Sequence, residues 1–265
     1  MNKLIFNKEK YLIELSSPKQ DSQTLIEDLE KYKIKYNKVF ESGNCVCLTD
    51  NPMGYLAFQG TELIEVLQLP VEEDQVMIHL NTFHTKKDLD NILNTCIDLG
   101  INKILVISGD GSEKLPRLQS FELGFKSKVS ITSVELIEYI RKEYQDAFLL
   151  GVAFNQYEPE NFEFEKLDLK IEAGAEFIIT QPVIGDDHVI NKLRQNYNIS
   201  VFIEVWMSKN LNLLSNCIGY DLPDDVSYAP LEHLENIQNM YPEYGIYLAF
   251  LGFKTQFDLI MNSKK

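Results

Sequence analysis

The sequence predicts an α/β protein built as a (β/α)8 TIM barrel. Three observations carry that prediction. Short β-branched or apolar runs alternate with amphipathic segments along the chain, the pattern of repeated β-α units. Eight such runs fall within 265 residues, close to the length an eight-stranded closed barrel takes. No Pro/Gly/Ser-rich linker and no block of like charge interrupts them, so the expected organisation is a single domain over residues 1–265.

The elements follow in order. Residues 11–15 read as the first strand, and residues 21–33 as a helix with Leu25, Ile26 and Leu29 on one face. Residues 45–48 make the second strand, with residues 63–67 in the helix after it. Residues 75–80 make the third. The next helix carries Leu89, Ile92, Leu93 and Cys96 as its apolar stripe and stops at Gly100, a natural left-handed terminator. Residues 103–107 and 148–152 are the fourth and fifth strands, separated by a helix over about residues 134–144. Residues 177–180, 199–203 and 247–250 complete the eight, and residues 255–262 form a closing helix.

Composition narrows the function classes. Hydrophobic residues make up 45% and charged residues 25%, which excludes disordered, collagen-like and disulfide-scaffold chains. A net charge of −15 repels phosphate backbones and anionic lipid, so neither nucleic acid nor a membrane surface is an expected partner. No apolar run reaches the ~18 residues of a membrane span. Residues 1–10 lack the apolar core of a signal peptide, so the expected location is cytoplasmic. Cys45, Cys47, Cys96 and Cys217 include no C-x-x-C pair, so free buried thiols are expected, with neither a metal site nor a disulfide framework.

In such a barrel the chemistry gathers at the C-terminal strand ends. The candidates there are Glu14, Thr49 with residues 50–54, His79 with Asn81, Thr82 and His84, residues 108–112, Ala153 with residues 154–157, Thr180 with Gln181, and residues 204–208. Glu14 reads either as a solvated carboxylate or as a buried one whose raised pKa suits a general acid. His79 reads as a satisfied core histidine or as a ligand. Gly109-Asp110-Gly111 reads as a tight turn, a phosphate cradle or a fragment of a calcium loop. Trp206 reads as rim packing or as part of a pocket wall.

One further segment, Lys170-Ile-Glu-Ala-Gly-Ala-Glu-Phe-Ile-Ile-Thr-Gln181, is the most specific in the chain. It is similar to the K-x-x-A-G-A-x-F-x-I-T-Q segment of the methylenetetrahydrofolate reductase family. Glu14-Leu-Ser-Ser-Pro-Lys19 resembles that family's E-F-F-P-P-[KR], and Thr49, His79 and Gly109-Asp110 follow in the family's order at successive strand ends. The resemblance runs from Glu14 to about Val183.

The resemblance implies a flavoprotein of one-carbon metabolism and methionine biosynthesis. It would pass a hydride from NADH or NADPH through FAD to a folate substrate. It implies Glu14 as the acid that protonates folate N10, and Asp110 beside the flavin and the cationic intermediate. It implies Gln181 as a hydrogen bond to the pterin, and Thr49, His79, Gly109, Asp110, Ala153 and Lys170 as FAD contacts, Lys170 for the phosphates. Glu14, Thr49, His79, Asp110 and Gln181 are expected to converge on one barrel mouth. Departures accompany the match: Ser108 stands where the family usually has Arg, and residues 155–157 replace a Tyr-Pro-Glu stretch. Residues 205–209 replace Pro-Gly-Ile-Met-Pro, and Leu213 replaces an aromatic. The alternatives are a barrel that binds folate or another C1 carrier without reducing it, as a methyltransferase component or partner subunit, and a sensor or scaffold. A homo-oligomer or a one-carbon enzyme partner stays open.

Overall fold

A computed structural model describes residues 10–126, 131–222 and 228–263. The expectation drawn from residues 1–10 lies, but for Lys10, outside them. Among the described residues, eight strands hydrogen-bond in sequence order as a closed barrel, with β8 returning to β1. The strands are β1 (Leu12–Leu15), β2 (Cys45–Leu48), β3 (Val76–Leu80), β4 (Lys103–Val106), β5 (Leu149–Phe154), β6 (Phe177–Pro182), β7 (Ser200–Trp206) and β8 (Gly245–Ala249). Every residue of β2, β3, β4 and β8 is buried, which is why these strands read as apolar runs rather than as alternation, interrupted only by His79 in β3 and Lys103 in β4. No helix of the described residues is long and apolar enough to cross a membrane.

The helices are α1 (Leu25–Glu41), α2 (Gly60–Leu67), α3 (Lys86–Asp98), α4 (Ser133–Tyr144), α5 (Glu160–Ala173), α6 (His188–Asn196), α7 (Leu211–Ile218), α8 (Pro230–Met240) and α9 (Phe253–Ser263). Helix α1 starts at Leu25 rather than residue 21 and continues well past residue 33, because its buried face is Tyr32, Tyr36 and Val39; Ile26, expected on the apolar face, is 78% exposed. At the end of α3, Gly100 adopts φ +73° and Ile101 N–H reaches back to the Cys96 carbonyl at 2.8 Å, the terminator expected there. Strand β5 runs on through apolar Ala153 and Phe154, while β6 and β7 run further than their apolar cores because they continue past Gln181 and Glu204. Between β7 and β8 stand two helices, α7 and α8, an addition to the regular alternation.

Internal contacts group the chain into two compact units. The first comprises Met1–Glu14, Ala153–Leu167 and Phe177–Lys265; the second comprises Leu15–Val152 and Asp168–Glu176. In the first unit, Gly245 is dictated by packing: a Cβ there would lie 2.4 Å from the Phe202 ring. Phe202 also meets the edge of Phe177 with ring centroids 6.0 Å apart. This fixes the face of β7 that carries Phe202 and, by two-residue alternation, Glu204 and Trp206. In the second unit, Arg141 of α4 donates to the carbonyls of Gly174 and Phe148 and pairs with Glu176, fastening the turn after α5 to the start of β5.

Candidate functional site

In the first unit, Glu14 sits one residue from the end of β1, half-buried between buried Ile13 and Leu15. The Tyr247 hydroxyl donates to Glu14 Oε2 at 2.5 Å. Burial pushes the Glu14 carboxyl above its ordinary range, and the Tyr247 bond offsets part of that rise. Glu204 is the register partner of Tyr247 on β8. Burial first, and then the charge of Glu14, push its carboxyl well above the ordinary value of 4.5.

Gln181 lies where the β6–β7 register shifts between Ile179 and Pro182. The Gln156 side chain staples this irregularity, donating to the Gln181 carbonyl at 2.9 Å and accepting from Gln181 N–H at 3.2 Å. Tyr157 Oη donates to the Pro182 carbonyl at 2.5 Å. Thr180 Oγ1 accepts from Glu204 N–H at 3.1 Å, so the shift that positions Gln181 also ties β6 to Glu204. The Gln181 side-chain amide makes no hydrogen bond to a described residue, which leaves it available to a ligand. Ala153 is half-buried in β5. Trp206 packs against Leu214, Ile218 and Ala249 with Tyr157 and Tyr228 alongside, a core position, while its indole N–H meets no partner among the described residues.

In the second unit, Thr49 directly follows β2 and exchanges two hydrogen bonds with Ser17: Ser17 N–H donates to Thr49 Oγ1 at 3.0 Å and Ser17 Oγ to the Thr49 carbonyl at 2.8 Å. Asp50 is the centre of a buried polar knot. Its Oδ1 accepts from Gln59 Nε2 at 2.7 Å and Asn51 Nδ2 at 3.1 Å. Its Oδ2 accepts from Asn81 N–H at 2.7 Å and meets His84 Nε2 at 2.7 Å. Asn51 and Met53 then take left-handed backbone, φ 45° and 57°, costly for non-glycine residues. Met53 N–H donates to Asp110 Oδ2 at 2.9 Å, so the loops after β2 and β4 are joined.

Asp110 is exposed and flanked by glycines that packing requires. At Gly111, φ +65°, a Cβ would lie 2.2 Å from the Phe83 ring; at Gly109, φ +81°, it would lie 2.9 Å from Asn81. Of the three readings of this segment, the structure supports the tight turn, packed too closely against the β3 loop for any side chain. Among the described residues no cluster of three or more His, Cys, Asp or Glu side chains is placed to hold a metal ion.

His79 is 5% exposed within β3, and burial pushes its pKa down to about 4, so it is a neutral imidazole at pH 7. Lys170 lies on helix α5. It is buried three residues before the end of α5, where its carbonyl accepts from Ala175 N–H at 3.0 Å on the way into β6.

The flavin implied by the resemblance can be compared with these groups. The Thr49 hydroxyl, neutral His79 and the Asp110 oxygen not bound by Met53 suit a polar, uncharged ring system. For its phosphates the loop after β4 offers the hydroxyl of exposed Ser108 and no cation at that position. The ring end is therefore the better match. Chemically, the first unit offers a carboxyl with raised proton affinity and a free amide, and the second offers a tied but exposed carboxylate.

Sequence reasoning reached Glu14, Gln181 and Asp110 but not the partnership of Glu14 with Tyr247 and Glu204. Counting alternate residues back from Trp206 would have put Glu204 on the face of Phe202. The Asp50–His84 pair spans 34 residues and carries no local signal.

A family model, methylenetetrahydrofolate reductase, matches residues 3–217. Methylenetetrahydrofolate reductase 2 of Saccharomyces cerevisiae is 30% identical over 145 residues, 52% of this chain and 23% of that protein. Methylenetetrahydrofolate reductase 1 of Schizosaccharomyces pombe is 29% identical over 160 residues, 55% of this chain and 26% of that protein. The chain thus spans about a quarter of the length of these relatives. Among solved structures, a Clostridium thermocellum protein that binds two copies of 5-methyl-5,6,7,8-tetrahydrofolic acid superposes with a TM-score of 0.56 at 13% identity, over 95% of this chain and 93% of that one. A 2,3-dimethylmalate lyase superposes with a TM-score of 0.53 at 9% identity, over 97% and 82% of the two chains. At such identities the superpositions speak to the barrel fold, whereas the family model covers most of the sequence: the chain belongs to the methylenetetrahydrofolate reductase family.

Proposed function

We propose that this chain is a flavin-dependent oxidoreductase that reduces 5,10-methylenetetrahydrofolate to 5-methyltetrahydrofolate with NADH or NADPH as donor, residues 1–265 acting as one barrel domain. The observation that carries the reading is Glu14, a half-buried carboxyl at the C-terminal end of β1, held by the Tyr247 hydroxyl and with raised proton affinity. Family membership supports it, and the tetrahydrofolate bound by the Clostridium thermocellum barrel supports a folate as ligand.

FAD, when bound, would carry the hydride between nicotinamide and folate, and Thr49, His79, Gly109, Asp110, Ala153 and Lys170 are the residues proposed to hold it. Lys170 has this role, as cation for the phosphates, on the resemblance alone. Glu14 would give its proton to folate N10, so that the five-membered ring opens to a cation. The exposed Asp110 carboxylate would stabilise that positive charge. The Gln181 amide would hydrogen-bond the pterin edge. The same reading assigns the protein to the cytoplasm and its product to methionine biosynthesis.

A second reading, a folate- or C1-carrier-binding barrel that does not reduce its ligand, is favoured by Ser108 and by Asn155. Asn155 N–H donates to Glu163 Oε1 at 3.0 Å and its side chain accepts from Tyr157 N–H at 3.1 Å, so it closes a turn rather than offering an aromatic face.

Flavin titration separates the two. The wild type is expected to bind FAD, and Ser108→Arg to bind it about ten- to a hundredfold more tightly, the value of one charge-assisted bond to phosphate. Lys170→Ala is expected to release most of it. Absence of flavin binding in both the wild type and Ser108→Arg, with folate binding retained, would replace the first reading by the second.

A further inference from the structure

Glu14 on β1, Tyr247 on β8 and Glu204 on β7 stand on three adjacent strands of the first unit, with Tyr247 the register partner of both Leu12 and Glu204. The Tyr247 hydroxyl donates to Glu14 Oε2 at 2.5 Å. As register partners, Glu204 and Tyr247 turn their side chains to the same face, the one on which Tyr247 meets Glu14, and the charge of Glu14 adds to burial in raising the proton affinity of Glu204. Its place is fixed from both sides, by its N–H on Thr180 Oγ1 at 3.1 Å and by the parity that turns Phe202 toward Gly245. The Glu204 carboxyl, unlike that of Glu14, has no hydrogen-bond donor among the described residues. Among them the groups acting on the pair are Tyr247 from β8 and, more distantly, Tyr157 after β5; no cation is present to neutralise either carboxyl.

Two partly buried carboxylates that repel one another, with no cation acting on either among the described residues, cannot both ionise cheaply, so the pair retains a proton beyond the ordinary carboxylate range. Hydrogen bonding decides where it rests. A donor on Glu14 stabilises that group as the anion, whereas the half-buried Glu204 carboxyl has no donor among the described residues to steady its charge. We propose that Glu204 is the proton-holding partner of Glu14: at neutral pH the two share one proton, which rests on Glu204 while Tyr247 steadies Glu14 as the carboxylate.

The consequence for chemistry rests on the folate-reducing reading given above. In each turnover the O–H bond of Glu204 would break as one forms on Glu14, that proton would pass to N10, and solvent would reprotonate the pair. Glu204 is then a positioning residue, acting through Glu14.

Infrared titration of the full-length protein, following the carbonyl stretch of protonated carboxyls, tests the proposal without turnover. The wild type is expected to keep one protonated carboxyl at pH 7, and Glu204→Gln to lose it. Tyr247→Phe retains both carboxyls and serves should Glu204→Gln fail to fold. Losing the donor to Glu14 is expected to raise the lower ionisation of the pair about tenfold in proton affinity and leave the upper one unmoved, because the upper one belongs to Glu204. The proposal is overturned if the wild type has no protonated carboxyl at pH 7, if the signal survives Glu204→Gln, or if Tyr247→Phe moves the upper ionisation. In a reductase, Glu204→Gln is also expected to shift the alkaline limit of folate reduction to lower pH without shifting that of flavin reduction. A protein that does not reduce folate leaves the infrared result intact, so the two readings fail separately.

Discussion

Replacing Asp50 by alanine removes the centre of the knot that holds the loop after β2. Asp50 is 3% exposed, and its two oxygens meet four groups: Gln59, Asn51, the Asn81 N–H and His84. Removing the acceptor of several buried hydrogen bonds leaves their donors desolvated and unpaired, about 1–3 kcal/mol for each and about 3–5 kcal/mol together. For a chain of this size each kcal/mol lowers Tm by roughly 2–4 °C, so Asp50→Ala should melt about 6–20 °C below the wild type. Asp50→Asn retains the shape but puts an NH2 group where donors already converge on either oxygen, and about 1–3 kcal/mol is expected. The exposed Glu27–Lys31 pair is the control: Glu27→Ala should leave the unfolding midpoint where the wild type has it. Urea unfolding followed by circular dichroism, with calorimetry for Tm, measures all three. A cost below ~1 kcal/mol for Asp50→Ala, or an Asp50→Asn protein as stable as the wild type, would refute the knot as the support of this loop.

Other outcomes follow from single residues. His79 has its folded pKa near 4 against an ordinary 6.5, so the unfolded chain binds a proton in that window that the folded chain refuses. Stability should fall by about 3 kcal/mol from this group as pH drops from 6.5 to 4, and His79→Gln should flatten that slope in urea titrations at each pH. Gly111→Ala should cost about 2–5 kcal/mol, the sum of left-handed strain and the clash with Phe83. Gly43→Ala, also left-handed but with open space around it, should cost only about 1 kcal/mol, and equal costs would remove the packing argument. Glu14→Gln should still accept electrons from the nicotinamide but reduce methylenetetrahydrofolate at least ~100-fold more slowly in rapid-mixing absorbance. Equal slowing of both half-reactions would make Glu14 structural.

The barrel was legible because strands buried on both faces leave continuous apolar runs, and all eight lie where those runs are. What local pattern could not show was where pairing continues through polar residues, as in residues 181–182 of β6 and 204–206 of β7. Helix α5 exposes Phe162 and Leu169, which blurs its apolar stripe, and α7 and α8 both occupy a single connection. The candidate site was legible residue by residue at strand ends, since the fold itself puts chemistry there. Its couplings were not. Glu14 meets Tyr247 across 233 residues and Asp110 meets Met53 across 57, and no local sequence signal encodes such contacts. The glycines around Asp110 illustrate the ambiguity from the other side. Their pattern fits a phosphate loop equally well, and only the position of Phe83 shows that they answer to packing.

A single-turnover experiment tests the proposed function most directly. The FAD-loaded protein is reduced anaerobically with NADH or NADPH and mixed with 5,10-methylenetetrahydrofolate; flavin absorbance is followed and the folate products are quantified. The account predicts reoxidation of the flavin with one 5-methyltetrahydrofolate formed for each flavin reoxidised. A flavin that stays reduced beside bound, unchanged folate would contradict it.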